Sequence, residues 1–100
     1  MIERLINMKE CKNMGEVRNN IDMIDREIVK LLSQRSNYVK QAAGFKKTIA
    51  DVKAPNRVEE VIEKVRNLAT EYGLDPGIVE QVYRTMIASF IDYEMKEHAK

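Results

Sequence analysis

The chain has 100 residues, 44% hydrophobic and 33% charged, a balance that suits one folded globular domain rather than a disordered or membrane chain. Seventeen basic side chains face sixteen acidic ones for a net charge of +1, so nothing in the charge calls for nucleic acid or an anionic membrane as partner. Cys11 is the sole cysteine, which rules out an intrachain disulfide and a thiolate metal cluster. No apolar run nears the roughly 20 residues that span a bilayer. The start Met1-Ile2-Glu3-Arg4-Leu5 lacks a signal-peptide stretch, so a cytoplasmic location is expected.

Residues 1–13 are polar and weakly periodic and read as a loosely ordered extension, with a single helical domain over residues 14–100. From about Met14 the seam positions are Val17, Ile21, Ile24, Ile28, Leu31, then Arg35, then Tyr38, Ala42, Phe45 and Ile49, in alternating steps of four and three. This spacing predicts one helix to Phe45 or beyond, roughly 48 Å long at 1.5 Å per residue. A compact domain of this length has a radius of gyration of about 13 Å, so two shorter helices of the same chain cannot cover such a seam. A second copy, joined through intertwined first helices, is the economical cover. The competing reading is a break near Gly44 that folds the chain back as a monomeric bundle.

Pro55 opens a second segment, with Val58, Val61, Val65, Leu68 and Tyr72 on one face. It stops at Gly73, which suits a left-handed helix end. Asp75-Pro76 then starts a third helix: the Asp side chain accepts an orphan backbone N–H, and Pro has none to satisfy. Its seam runs Val79, Val82, Met86, Phe90 and Tyr93, flanked by Tyr83, Ile87 and Ile91. Strand-like alternation is absent. The fold class is therefore all-α, three helices per chain with one very long, assembled as an intertwined homodimer.

Two charges sit where apolar residues belong. Arg35 takes a seam position otherwise held by Ile21, Ile28, Ala42 and Ile49, and a charge there is costly unless paired. Beside the seam, Arg18, Asp25, Leu32, Val39 and Lys46 recur every seven residues. On a continuous helix Lys46 returns nearly to the face of Arg35, with Val39 and Ala42 between. The pattern is a stripe with a cation at each end, about 16 Å apart along the axis, over a small apolar floor that suits a compact dianion. Arg57, in the first turn of the second helix, follows a loop able to cover this stripe. Glu94 lies seven residues after Ile87 and four after Phe90, on the apolar face of the third helix. A carboxyl group there is either ion-paired or kept protonated by desolvation. The plainer reading pairs Arg35 with a neighbouring acid, leaves Lys46 solvated and makes Glu94 the salt-bridge partner of one of them.

What is missing narrows the chemistry. The one histidine is His98, near the end of the sequence. There is no nucleophile–base pairing, no metal-ligand spacing, no glycine-rich phosphate loop and no nucleotide fingerprint. An enzyme made from these parts works by positioning and electrostatic stabilisation. Pericyclic rearrangements are the main reactions that need no more.

The runs Val17-Arg18-Asn19-Asn20-Ile21-Asp22 with Ile24-Asp25, Arg35, Tyr38-Val39-Lys40, Phe45-Lys46, Ala54-Pro55-Asn56-Arg57-Val58 and Gly73-Leu74-Asp75 occur in this order on a three-helix pattern. In these, from about Met14 to His98, the chain resembles the all-helical chorismate mutases and their relatives, the isochorismate-pyruvate lyases. The resemblance implies an intertwined dimer with two equivalent pockets and no cofactor. It implies that Arg18 reaches into the partner's pocket to bind one carboxylate and that Arg35 grips the other within its own subunit. Lys46 would touch the ether oxygen and a carboxylate, Arg57 would help to close the site, and Val39, Ala42, Ile87 and Ile91 would line it.

Two positions depart from the bacterial mutase pattern. Val58 stands where some mutases carry a glutamate that contacts the substrate hydroxyl, and the run Ala-Pro-x-Arg-Val is similar to the lyase branch. Glu94 stands where bacterial mutases and lyases usually have glutamine; fungal mutases have glutamate, which donates to the ether oxygen only when protonated. The resemblance thus implies catalysis by Lys46, Arg35 and Glu94, first of chorismate to prephenate, with isochorismate to salicylate plus pyruvate as the alternative. A helical dimer that kept the fold and lost the chemistry is the contrasting class.

Overall fold

The computed structural model describes residues 10–98, and all regular structure among them is helical. In chain order the helices are α1 (Met14–Ala43), α2 (Ile49–Lys53), α3 (Pro55–Glu71) and α4 (Pro76–His98). The all-α class and the three long helices are those read from the sequence; the five-residue α2 was not anticipated. Two compact units divide between Val39 and Lys40. The first holds most of α1. The second holds the last turn of α1 together with α2, α3 and α4.

The start of α1 is capped from the sequence outward. Asn13 Oδ1 accepts from the backbone N–H of Glu16 at 2.9 Å, and the Glu16 carboxylate accepts from the backbone of Lys12 at 2.8 Å. The first satisfies a donor that a helix start leaves unpaired, and the second ties down the residue before the cap. Of the expected extension, residues 1–9 lie outside the described residues. No residue of α1 is buried. Ile24 is 59% exposed and Leu31 58%, so the seam predicted from the spacing is present and uncovered within the chain.

The predicted continuation of α1 to Phe45 and Ile49 does not occur. After Ala43, the N–H groups of Gly44, Phe45 and Lys46 donate to carbonyls three residues back, at 3.2, 3.0 and 3.1 Å. This is a tightened helix end, placed where glycine, the poorest helix former after proline, enters the sequence. Phe45 is left 86% exposed, and Ile49 opens α2 instead of extending the seam.

In the second unit α2 and α3 both pack on α4. Val52 of α2 is 3% exposed. Ala54 ends α2 and begins α3 in a left-handed conformation, φ 36° and ψ 60°, a costly state for a residue with a Cβ. Pro55 at the first position of α3 then needs no donor partner. α3 buries Ile62, Val65 and Ala69, and full burial of a side chain such as isoleucine or valine is worth about 1.5–3 kcal/mol. The face differs by one position from the expected seam: Leu68 is 48% exposed and Ala69 buried. On α4 the half-buried positions include Val79, Tyr83, Met86, Ile87, Phe90 and Ile91, while Val82 and Tyr93 face outward.

The α3–α4 connection is as its sequence predicts. Gly73, at φ 76°, lets Leu74 N–H reach the Ala69 carbonyl at 2.8 Å and Gly73 N–H the Thr70 carbonyl at 3.2 Å, the paired bonds of a Schellman end. Asp75 Oδ1 accepts from Gly77 N–H at 2.8 Å, across Pro76. The hairpin is also stitched on its surface. Arg84 donates to both carboxylate oxygens of Glu59 at 2.9 Å and to Glu80 at 2.8 Å, and Arg66 donates to Glu80 at 2.6 Å. No described helix is long and apolar enough to cross a membrane.

Candidate active site

Lys46 emerges just past the tightened end of α1. Its Nζ lies 3.1 Å from Oε2 of Glu94, with Lys46 22% and Glu94 7% exposed. Glu94 is the buried charged residue among those described. It sits there because the packed face of α4 advances in steps of four and three, from Ile87 and Phe90 to position 94. A buried carboxylate needs a donor, and Lys46 supplies it. The plainer sequence reading of a Lys46–Glu94 pair therefore holds as geometry.

Lys46 also lines an open cleft of about 570 Å³, with Phe45, Ala50, Asp51, Ala54, Pro55, Asn56 and Arg57. That size is in the range of small-ligand sites. Arg57 is held on the first turn of α3 and pairs with Glu60 one turn on. The Arg57 bond, then the charge of Lys64, holds the Glu60 carboxyl below its usual range. With 62% of the Arg57 side chain exposed, this pair is of the weak kind that an incoming anion can replace. Two cations thus share one concave surface in the second unit.

The remaining site residues from the sequence lie along α1 and α4. Arg18 is exposed on α1, Arg35 and Val39 are half-buried one turn apart, and Ala42 is exposed in the last turn. Ile87 and Ile91 are half-buried on the packed face of α4. One inference from spacing is overturned: Lys46 is not on a helix face shared with Arg35, because α1 ends at Ala43. Its position is set by the turn, by α2 and by Glu94.

Asp51 was missed. It lines the cleft and accepts from the backbone N–H groups of Lys47 at 3.1 Å and Thr48 at 3.2 Å, while Thr48 Oγ1 accepts from Asp51 N–H at 3.1 Å. The Lys47 bond first, then that of Thr48, holds the Asp51 carboxyl below its usual range. The Thr48-x-x-Asp51 spacing is a helix-start signal that the uninterrupted-helix reading hid. In a second groove, beside Glu59, Glu63, Arg66, Glu80 and Arg84, all of these but Glu63 are ion-paired with one another. Glu59 and Glu80 are held below their usual range chiefly by hydrogen bonds from Arg84, and Arg84 is raised by the same bonds. Among the described residues no cluster of His, Cys, Asp and Glu could hold a metal ion.

The chain is a member of a known all-helical enzyme class: it belongs to the chorismate mutase type II family, whose match covers residues 17–95. It is 35% identical over 88 residues to an isochorismate pyruvate lyase of Pseudomonas aeruginosa, covering 88% of this chain and 87% of that protein. It is 27% identical over 77 residues to a chorismate mutase of Methanocaldococcus jannaschii, covering 76% of this chain and 78% of that one. A bifunctional chorismate mutase/prephenate dehydratase of Aquifex aeolicus is 34% identical over 96 residues, covering 89% of this chain and 25% of its own.

Proposed function

We propose that the chain rearranges chorismate to prephenate by non-covalent electrostatic and conformational catalysis, without a cofactor. The observation that carries this is Lys46, fixed on the buried Glu94 at the edge of the cleft that also holds Arg57. A reaction that breaks an ether C–O bond as a C–C bond forms places negative charge on the departing oxygen. Lys46 donates to that oxygen, a stabilisation greater in the transition state than in the ground state. Arg35, and Arg18 from the second protomer, take the two carboxylates and hold the substrate in its compact reactive shape. Arg57 gives up Glu60 to close over it. Val39, Ala42, Ile87 and Ile91 form the apolar wall, which strengthens these interactions by excluding water. Glu94 orients Lys46 when ionised and donates to the ether oxygen when protonated.

The assembly in this reading is an intertwined homodimer. Its support is α1, 30 residues long with none buried, whose aliphatic seam needs a cover. The second reading is an isochorismate-pyruvate lyase, forming salicylate and pyruvate in the same pocket. Two observations favour it: Val58 follows Arg57 where a hydroxyl-binding glutamate is absent, and the Pseudomonas relative is a lyase at 35% identity. The experiment is a comparison of kcat/KM on chorismate and isochorismate with the products identified. A higher value on chorismate, with prephenate formed, supports the mutase; a higher value on isochorismate, with salicylate and pyruvate, makes it a lyase. Turnover of neither refutes both.

A further inference from the structure

Asp51 poses a problem of charge. It lines the cleft beside Lys46 and Arg57, and a free carboxylate there would repel the dianion those cations are meant to hold. Its hydrogen bonds resolve the conflict. Oδ2 accepts from the backbone N–H of both Lys47 and Thr48, so its charge is spent on the main chain immediately after Lys46. The same residue gives its own N–H to Thr48 Oγ1, closing a reciprocal capping box at the start of α2.

α2 is only five residues long, too short to hold itself together as an isolated helix. What fixes it is this box at one end, the left-handed Ala54 followed by Pro55 at the other, and Val52 buried between them. Lys46 stands directly before the box, and Arg57 follows Pro55 on the first turn of α3. The two cations are thus the ends of one braced segment.

We propose that Asp51, with Thr48, is a positioning residue for Lys46: the capping box holds the Lys46–Thr48 backbone in the arrangement that presents the lysine to the cleft, so the anion meets a preformed site. This rests on the functional reading above. Asp51 does not touch the reacting atoms; it acts through the population of the competent arrangement. Lowering that population raises the apparent dissociation constant by the same factor, while saturating substrate restores the arrangement and the turnover number.

The test compares Asp51→Ala, Asp51→Asn and Thr48→Val with the wild-type protein. Asparagine keeps an acceptor oxygen suited to a helix start; alanine has none. Asp51→Ala and Thr48→Val should raise KM about fivefold with kcat within about twofold, and Asp51→Asn should return KM to within about twofold of wild type. In the same samples, the amide protons of Lys47 and Thr48 should exchange about fivefold faster in Asp51→Ala than in wild type. Unchanged KM in Asp51→Ala, a loss confined to kcat, an asparagine variant as impaired as the alanine one, or unchanged amide exchange would each overturn the proposal. Should wild type turn over neither chorismate nor isochorismate, the functional reading falls, and amide exchange alone then decides whether the brace exists.

Discussion

Removing the Lys46 ammonium tests the site and the fold at once, and the two effects can be separated. Two unit charges 3.1 Å apart attract by roughly 5 kcal/mol at an effective dielectric constant of about 20. Partial desolvation of both groups and the ordering of a lysine side chain, itself up to about 2 kcal/mol, offset much of this. The loss on Lys46→Ala is larger than the net worth of the pair, because Glu94, 7% exposed, stays buried without its partner. Lys46 is itself partly open to water, which lets solvent reach the orphan, so the expected destabilisation is about 1–3 kcal/mol. Urea unfolding at neutral pH and fixed protein concentration reads it. Adding Glu94→Gln to Lys46→Ala removes the orphan charge and should recover most of that loss. Activity should behave differently: kcat/KM falls about 100- to 1000-fold in Lys46→Ala, the scale for removing a donor aimed at developing charge, and stays down in the double variant. If the double variant regains activity along with stability, Lys46 serves only to neutralise Glu94. If Lys46→Ala is as stable as wild type, the pair contributes nothing to the fold and Glu94 does not need Lys46 to remain buried.

Charges on the α1 seam should break the proposed dimer: Ile24→Lys with Leu31→Lys is expected to sediment as a monomer, and a variant that remains dimeric places the interface elsewhere. Glutamine at position 94 can donate at every pH, whereas a carboxyl group donates only when protonated. Glu94→Gln should therefore keep kcat/KM at or above the wild-type level at neutral pH, and an inactive glutamine variant removes position 94 as a donor. Glu59 and Glu80 have lowered folded-state values because they accept from Arg84. Their contribution to stability is present above their ordinary value of 4.5 and is lost as pH falls through the lowered folded values. Tm measured from neutral pH down to about pH 3 should fall less steeply in a Glu59→Gln, Glu80→Gln variant; an equal slope shows the surface network to be energetically idle.

The sequence carries some parts of this fold more openly than others. Gly73 and Asp75-Pro76 are local signals with local causes, and the structure answers each with the bonds that the residue types predict. Glu94 was legible because a carboxyl group interrupts an apolar face, and burial with a cationic partner is one of few solutions. The end of α1 was not legible in the same way. The four–three spacing runs through Gly44 to Phe45 and Ile49, and periodicity registers which positions are apolar, not whether the backbone stays helical between them. Carrying the helix through that point wrongly put Lys46 on the helix face of Arg35 and hid the Thr48–Asp51 box, whose spacing is visible once a break is allowed. Along α3 the one-position shift from Leu68 to Ala69 has a similar origin: with apolar residues on both sides of the seam, packing on α4 selects the face.

The hairpin of α3 and α4 is unequally finished at its two ends. Where the chain turns, glycine, aspartate and proline tie down the backbone groups that the helix ends leave open. At the opposite end lie the strained Ala54, the first turn with Arg57, and the last turns of α4 with Glu94. Thermal fraying of the hairpin is therefore expected at the end that carries Arg57 and Glu94, and on the proposed function a local opening there costs activity long before the helices come apart.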